Sequence, residues 1–188
     1  MELSGLHTAA KALEDAFFAR ENARLLEQLR AQAQKEERRQ ALRAVIQVQD
    51  DQLVDHLLEL GLGPETVLAV TLVPLAMVAW ADGAMQPGER DAILRAAAEK
   101  GIGPGSIARQ VLENWLSHPP SAKLVEAWKL YTRTIWPSLT PHEREEVRQA
   151  GLERARSIAE AAGGFLGIGG VTARERAVLD ELAAVLTE

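Results

Sequence analysis

Residues 67–81 read Val-Leu-Ala-Val-Thr-Leu-Val-Pro-Leu-Ala-Met-Val-Ala-Trp-Ala and form the most apolar run of this 188-residue chain. A helix needs about 20 predominantly apolar residues to span a bilayer. This run has 15 residues and contains Thr71 and Pro74, so it predicts a buried core helix and no transmembrane segment. Because proline removes a helical hydrogen bond, we expect Pro74 to kink or interrupt this helix.

The segments that follow also have helical patterns. Apolar residues recur at helical spacing in Asp51–Leu60, Ile107–Leu116 and Lys123–Trp136. Thr140 and Thr172 each begin a Thr-x-x-Glu capping box, a signal of a helix start. No segment shows the alternation of a strand. The sequence therefore predicts an all-α fold, a compact bundle of about seven or eight helices preceded by a long amphipathic N-terminal helix.

The first 48 residues predict that long helix. No Gly or Pro lies between Leu6 and Gln49, and strong helix formers dominate. At about 1.5 Å per residue, roughly 40 residues would reach about 60 Å, which is longer than a small domain is wide. We therefore expect residues 1–48 to be an extension, able to form a coiled coil, and residues 49–188 to be the helical domain. The helix must project, fold back or pair with another chain.

The apolar residues of this helix predict a contact surface. Leu13 and Phe17 fall on one stripe, which shifts further along the helix to Leu26 and Leu29. We select Leu13, Phe17 and Leu29 as candidate partner-binding residues. The expected partner is another protein or a second copy of this chain.

Composition and charge exclude several function classes. The net charge is −6, and residues 46–120 hold 10 acidic against 4 basic residues. With no basic face and 8 aromatic residues in total, we expect no nucleic-acid binding. Cysteine is absent, which excludes disulfides and thiolate metal sites. Charged residues such as Lys11 and Glu14 interrupt residues 1–20, where a secretory signal would be apolar, so we expect a cytoplasmic protein.

The chain has one candidate metal site, at the turn that follows the apolar run. Asp82-Gly83 ends that run, and Glu89 lies near the start of the next helical pattern. If the two carboxylates converge across the turn, their oxygens suit Ca²⁺ or Mg²⁺. In the alternative interpretation Asp82 caps the turn, and Glu89 occupies a helix N-terminus, where negative charge is favourable.

The residues Val78-Ala79-Trp80-Ala81-Asp82-Gly83, followed by Pro87-x-Glu89, resemble the signature of the TerB-like family. That family occurs in tellurite-resistance proteins and at the N-terminus of some membrane-anchored co-chaperones. The resemblance covers about residues 50–187. It implies a compact all-α bundle with a repeated helix pair and a second acidic turn.

The second turn of the family pattern would lie within residues 163–182. There Glu175 matches the acidic position, which makes Asp82, Glu89 and Glu175 the implied metal ligands. The Asp-Gly of the pattern is missing, and a glycine-rich segment, residues 164–170, stands in its place.

The sequence has no recognised catalytic motif. None of its four histidines forms His-Glu-x-x-His, and no serine lies in Gly-x-Ser-x-Gly. We therefore expect a non-enzymatic TerB-like binding or adaptor module in a stress-response or envelope-associated assembly, able to respond to a divalent cation. Two alternatives stay open, a carboxylate-metal enzyme and a protein attached to a membrane surface through its N-terminal helix.

Overall fold

The computed structural model describes the backbone of residues 2–162 and 171–187, and the side chains of residues 17, 19–161 and 171–187. Within these ranges there are eight α-helices, two short 3₁₀ helices and no strand, which confirms the predicted all-α fold with a long N-terminal helix. The glycine-rich segment 164–170 lies outside the described residues. The α-helices are α1 (Glu2–Ile46), α2 (Asp51–Glu59), α3 (Val73–Ala79), α4 (Pro87–Glu99), α5 (Ile107–Trp115), α6 (Ala122–Ile135), α7 (Pro141–Ala162) and α8 (Ala173–Val185); the 3₁₀ helices are Val67–Leu72 and Trp136–Ser138.

The chain divides into two compact units, Met1–Ala41 and Leu42–Glu188. The first unit consists of α1 as far as Ala41. The second contains the last residues of α1 and helices α2 to α8. Leu42 and Ile46 are buried in the hydrophobic core of this second unit.

Helix α3 lies at the centre of the second unit. It packs against α4, α6, α7 and α8. Because an α-helix buries one stripe against each neighbour, a helix packed on several sides must be apolar nearly all round. Five of its seven residues are accordingly buried: Val73, Leu75, Ala76, Val78 and Ala79.

The apolar run 67–81 is not one continuous helix. Its first six residues form the 3₁₀ helix Val67–Leu72, and α3 begins with Pro74 in its first turn. The predicted interruption at Pro74 is thus confirmed, while the prediction of a single core helix over this run is wrong. The physical reason is that proline has no N–H to donate, so it fits the first turn of a helix and not the interior. Gly83 follows with a φ of +98°, a backbone conformation that favours glycine.

The predicted capping boxes are present at two helix starts. Thr140 Oγ1 accepts a hydrogen bond from the Glu143 amide, and the Thr140 amide donates to Glu143 Oε2. Thr172 and Glu175 make the same reciprocal pair. Each box satisfies amides that have no partner within the helix. Both helix starts are therefore encoded locally.

Helix α7 packs closely against α4. At Gly88, in the first turn of α4, an added Cβ would lie 2.8 Å from the carbonyl oxygen of Ala161. A contact that short forces the backbone to move, so only glycine fits there. No described helix is long and apolar enough to cross a membrane.

Candidate functional site

The three predicted metal ligands lie at two helix starts and the turn between α3 and α4. Asp82 is exposed, whereas Glu89 and Glu175 are only 2% and 3% exposed. Arg174 connects the start of α8 to the turn, because its Nη1 donates to the Asp82 carbonyl oxygen at 3.3 Å. The fold therefore brings the N-terminus of α8 to the Asp82–Gly83 turn, although 92 residues separate Asp82 and Arg174 along the chain.

Each of these carboxylates accepts a hydrogen bond from a nearby backbone amide. Asp82 Oδ1 accepts from the Ala84 amide at 3.0 Å, which is a turn-capping bond. Glu89 Oε2 accepts from the amide three residues before it at 2.8 Å, and Glu175 Oε2 does the same at 2.6 Å. These hydrogen bonds are the ones expected if Asp82 caps the turn and the two glutamates cap helix starts. Among the side chains that the structure describes, no group of three or more His, Asp or Glu residues is placed so that it could hold a metal ion.

Glu89 is electrostatically unusual. Burial is the main cause that raises its pKa from 4.5 to about 7. The Gln86 amide bond lowers the pKa of Glu89, and the Asp82 and Glu175 carboxylates raise it. Near neutral pH this side chain is therefore partly protonated. In the same region, Trp80 Nε1 is buried and has no acceptor among the described residues.

Helix α1 exposes several large apolar side chains. Phe17 and Leu29 of the predicted surface are 63% and 61% exposed, and Leu25 and Leu26 are also exposed. The side chain of Leu13, the third predicted contact residue, lies outside the described residues. The polar residues around them have mixed charge, with ion pairs such as Glu21–Arg24. Exposed apolar side chains of this kind mark contact surfaces when they lie together.

The second unit contains a cavity of about 450 Å³, which we call the α6–α7 cavity. It lies where α6, α7 and α8 approach the end of the first 3₁₀ helix and the start of α3. Its lining ranges from fully buried Leu72 to Val147, which is 44% exposed, so the cavity opens to solvent. This volume is about that of fifteen molecules of liquid water.

Helix α6 and the 3₁₀ helix after it give the cavity an aromatic wall. Trp128 and Trp136 are buried, and both line the cavity together with Tyr131. Burial raises the pKa of the Tyr131 hydroxyl, so the phenol stays neutral there. Leu182 and Leu186 of α8 add aliphatic surface. A flat apolar body can therefore pack on this wall through area burial and ring contacts.

Helix α7 supplies the opposite side of the cavity. Val147, Ala150, Gly151 and Arg154 line it and share one helix face by their spacing. Ala150 and Gly151 have minimal side chains, so they leave open the space that a larger residue would fill. Ala150 is exposed, and a Cβ added at Gly151 would lie in ordinary contact with Leu186 Cδ1, at 3.6 Å.

The cavity is electrostatically asymmetric. Lys100, just after α4, and Arg154 both line it. Partial burial and then the Arg154 charge lower the pKa of Lys100, so these two cations influence each other. Glu146 also lines the cavity, but it precedes Arg154 by eight residues, or about 12 Å along α7. One end of the cavity is therefore cationic and the other carries a carboxylate.

The α6–α7 cavity was not found by reasoning from the sequence. Tryptophan is commonly found in protein cores, and Trp128 and Trp136 are indeed buried, so their presence in the sequence does not indicate a cavity. The sequence feature that relates to the cavity is the pair Ala150-Gly151 within a helical pattern. Two small adjacent residues in a helix permit either a gap beside the helix or a close approach of a neighbouring helix. Nothing local shows which of these two occurs.

Comparison of the chain with known protein-family models, with curated proteins and with solved structures gives no match. The resemblance to the TerB-like family therefore depends on the residues around the Asp82–Gly83 turn and on Glu175.

Proposed function

We propose that this chain is a non-enzymatic helical binding module that holds a small, largely apolar molecule in the α6–α7 cavity. The observation that carries the proposal is the cavity itself, about 450 Å³ with an aromatic wall and a solvent opening. Ligand sites in proteins are typically concave, mostly apolar and about 300–1,000 Å³ in volume, with few polar groups.

The lining supports binding and orientation of a ligand. Its large side chains are mostly aromatic or aliphatic, and its charged groups lie towards the two ends, at Lys100 and Arg154 and at Glu146. Burial of apolar ligand surface contributes about 25 cal/mol per Å² before the entropy lost on association is subtracted. The apolar surface that a ligand buries against this lining is therefore the main term that favours binding.

A neutral apolar dye tests this function. N-phenylnaphthylamine fluoresces more strongly in apolar surroundings, and we expect saturable binding of one dye per chain. Ala150→Leu should weaken binding at least about tenfold, because the added side chain enters the cavity. The matched control is Gln149→Leu, which makes the same exposed helix more apolar at a residue that does not line the cavity. No saturable binding, or equal loss in both variants, would overturn the proposal.

A second candidate function is self-association through α1, favoured by the exposed Leu25, Leu26 and Leu29. The proposed partner is a second copy of this chain. Residues 1–45 carry 8 basic and 7 acidic residues, so this segment has almost no net charge to select an oppositely charged partner. Its mixed charges can instead pair with those of an identical helix.

Light scattering tests this self-association. The triple change of Leu25, Leu26 and Leu29 to Gln should lower the measured mass to that of one chain and leave the circular dichroism of the folded domain intact. Leu68→Gln is the control, because Leu68 is 49% exposed but lies outside α1. A wild-type mass of one chain at micromolar concentration would refute this candidate.

The TerB-like adaptor role and the cation response stay predictions. They are tested by thermal melts with Ca²⁺, Mg²⁺ or EDTA on the wild type and on Asp82→Asn/Glu175→Gln. A metal that binds only the native state raises stability by about 2.7 kcal/mol at 100 times its Kd. Melting temperatures that do not change with any metal ion would refute the cation response and leave capping as the role of Asp82 and Glu175.

A further inference from the structure

We propose that the α6–α7 cavity selects an amphipathic monoanion, with its single anionic head between Lys100 and Arg154 and its apolar body against the aromatic wall. This inference rests on the proposed function and adds the chemical class of the ligand. A medium-chain fatty carboxylate is the simplest molecule of that class.

Two cationic side chains lie at one end of the cavity. Lys100 and Arg154 come from different elements, the end of α4 and the middle of α7, and both line the same space. The charge of Arg154 is one of the causes that lower the pKa of Lys100, so the two cations repel each other. A carboxylate placed there would accept charge-assisted hydrogen bonds from both side chains.

Glu99 is an acidic side chain that pairs with Arg154 at the cationic end of the cavity. Arg154 Nη2 lies 3.8 Å from Glu99 Oε2, and the two side chains are 42% and 66% exposed. A pair at that distance on an exposed surface contributes little, about 0–1 kcal/mol. Glu99 does not line the cavity, so it does not occupy the position of the ligand head.

The lining of the cavity also includes one carboxylate, that of Glu146. Glu146 lies about two helical turns from Arg154 on the same helix face. Its carboxylate would repel a second anionic group at the far end of the ligand. The wall between the two ends is formed by Trp128, Tyr131 and Trp136. The site therefore favours one charged end and one apolar end over a molecule with two charged ends.

Competition against bound N-phenylnaphthylamine at pH 8 tests this selectivity. The competitors are decanoate, decanol and decanedioate, which share a chain length and differ in the number of carboxylates. We expect decanoate to displace the dye at about tenfold lower concentration than either of the others. Higher salt should reduce this advantage, because Lys100 is exposed and the Arg154 side chain is 42% exposed, so their charges are screened.

Charge-removing variants assign the effect to the two cations. Lys100→Met and Arg154→Met keep the length of the apolar stem, and each should remove most of the preference for decanoate over decanol. Arg156→Met, an exposed change on α7 outside the cavity, should leave the preference intact. Glu146→Gln should improve competition by decanedioate.

These experiments distinguish failure of the monoanion inference from failure of the proposed apolar-ligand function. If the dye binds and decanol and decanoate compete equally, the monoanion inference is overturned and the apolar site stands. If the dye does not bind, both fail. If decanoate displaces the dye at lower concentration than decanol in the wild type and also in Lys100→Met and Arg154→Met, the anionic head of the ligand binds elsewhere. The inference is then also overturned.

Discussion

Replacement of Glu89 by Gln should change how the stability of this protein depends on pH. Burial raises the pKa of Glu89 from 4.5 to about 7 in the folded chain. A carboxyl whose folded pKa lies above its unfolded pKa binds more protons in the native state. Its contribution to stability is therefore fully present below about pH 4.5, falls as the pH rises towards 7, and is lost above that.

The size of the effect follows from the two pKa values of Glu89. A rise from 4.5 to about 7 corresponds to roughly 3 kcal/mol of stability lost between acid and alkaline pH. Glutamine cannot ionise, and its amide oxygen can still accept the hydrogen bond from the Gln86 amide. Glu89→Gln should therefore match the wild type near pH 4.5 and exceed its free energy of unfolding by up to roughly 3 kcal/mol at pH 8. In a chain of this size that raises the melting temperature by about 6–12 °C.

Urea unfolding of both proteins between pH 4.5 and 8 measures this difference. Glu143→Gln is the control, because Glu143 holds the same capping-box position on an exposed helix start. Hydrogen bonds from Thr140 lower the pKa of Glu143, so its ionised form stabilises the fold above its unfolded pKa. Relative to the wild type, Glu143→Gln should have a lower free energy of unfolding at neutral pH, and this difference should shrink as the pH falls. A pH-independent difference between the wild type and Glu89→Gln would refute the reasoning.

Two other substitutions test the packing of the domain. Gly88→Ala should destabilise it by about 1–3 kcal/mol in urea unfolding, because the new Cβ would lie 2.8 Å from the Ala161 carbonyl oxygen. Gly103→Ala is the control, and it should be neutral or slightly stabilising because the added Cβ meets nothing within 4 Å. Equal losses of stability in both variants would contradict the close approach of α7 to Gly88. Leu112→Ala should lower the free energy of unfolding by about 2–5 kcal/mol, since Leu112 is fully buried. A loss below about 0.5 kcal/mol is typical of surface substitutions and would mean that α5 does not pack on this core.

Most of the fold could be predicted because its signals are local. Apolar spacing and capping residues lie within the segments that they shape, and the starts of α7 and α8 follow directly from Thr140 and Thr172. The division of the central run shows the limit of this reasoning. Pro74 predicts an interruption, but the local pattern does not predict the 3₁₀ form of Val67–Leu72, whose buried residues belong to a segment packed against α4, α5 and α6.

The candidate sites were harder to predict because their parts come from distant segments. Asp82 and Arg174 meet through tertiary packing, and no short pattern encodes that contact. Whether a carboxylate caps a helix or binds a metal depends on which donor or ligand lies beside each oxygen. The α6–α7 cavity has the same character, since its cations belong to α7 and to the end of α4.

The capping boxes also show why a motif does not fix the chemistry of its residues. Glu143 and Glu89 hold the same position relative to a helix start, and each accepts a hydrogen bond from the amide three residues before it. Yet the hydrogen bonds dominate at exposed Glu143 and lower its pKa, whereas desolvation dominates at buried Glu89 and raises its pKa. Capping alone does not require Glu89 to be buried, because Glu143 caps its helix from the surface. Burial of an ionisable side chain and an open apolar cavity both reduce stability relative to a filled, uncharged core. Departures of this kind are most often found at functional sites, which is why the proposed ligand experiments begin at the cavity and the stability experiment begins at Glu89.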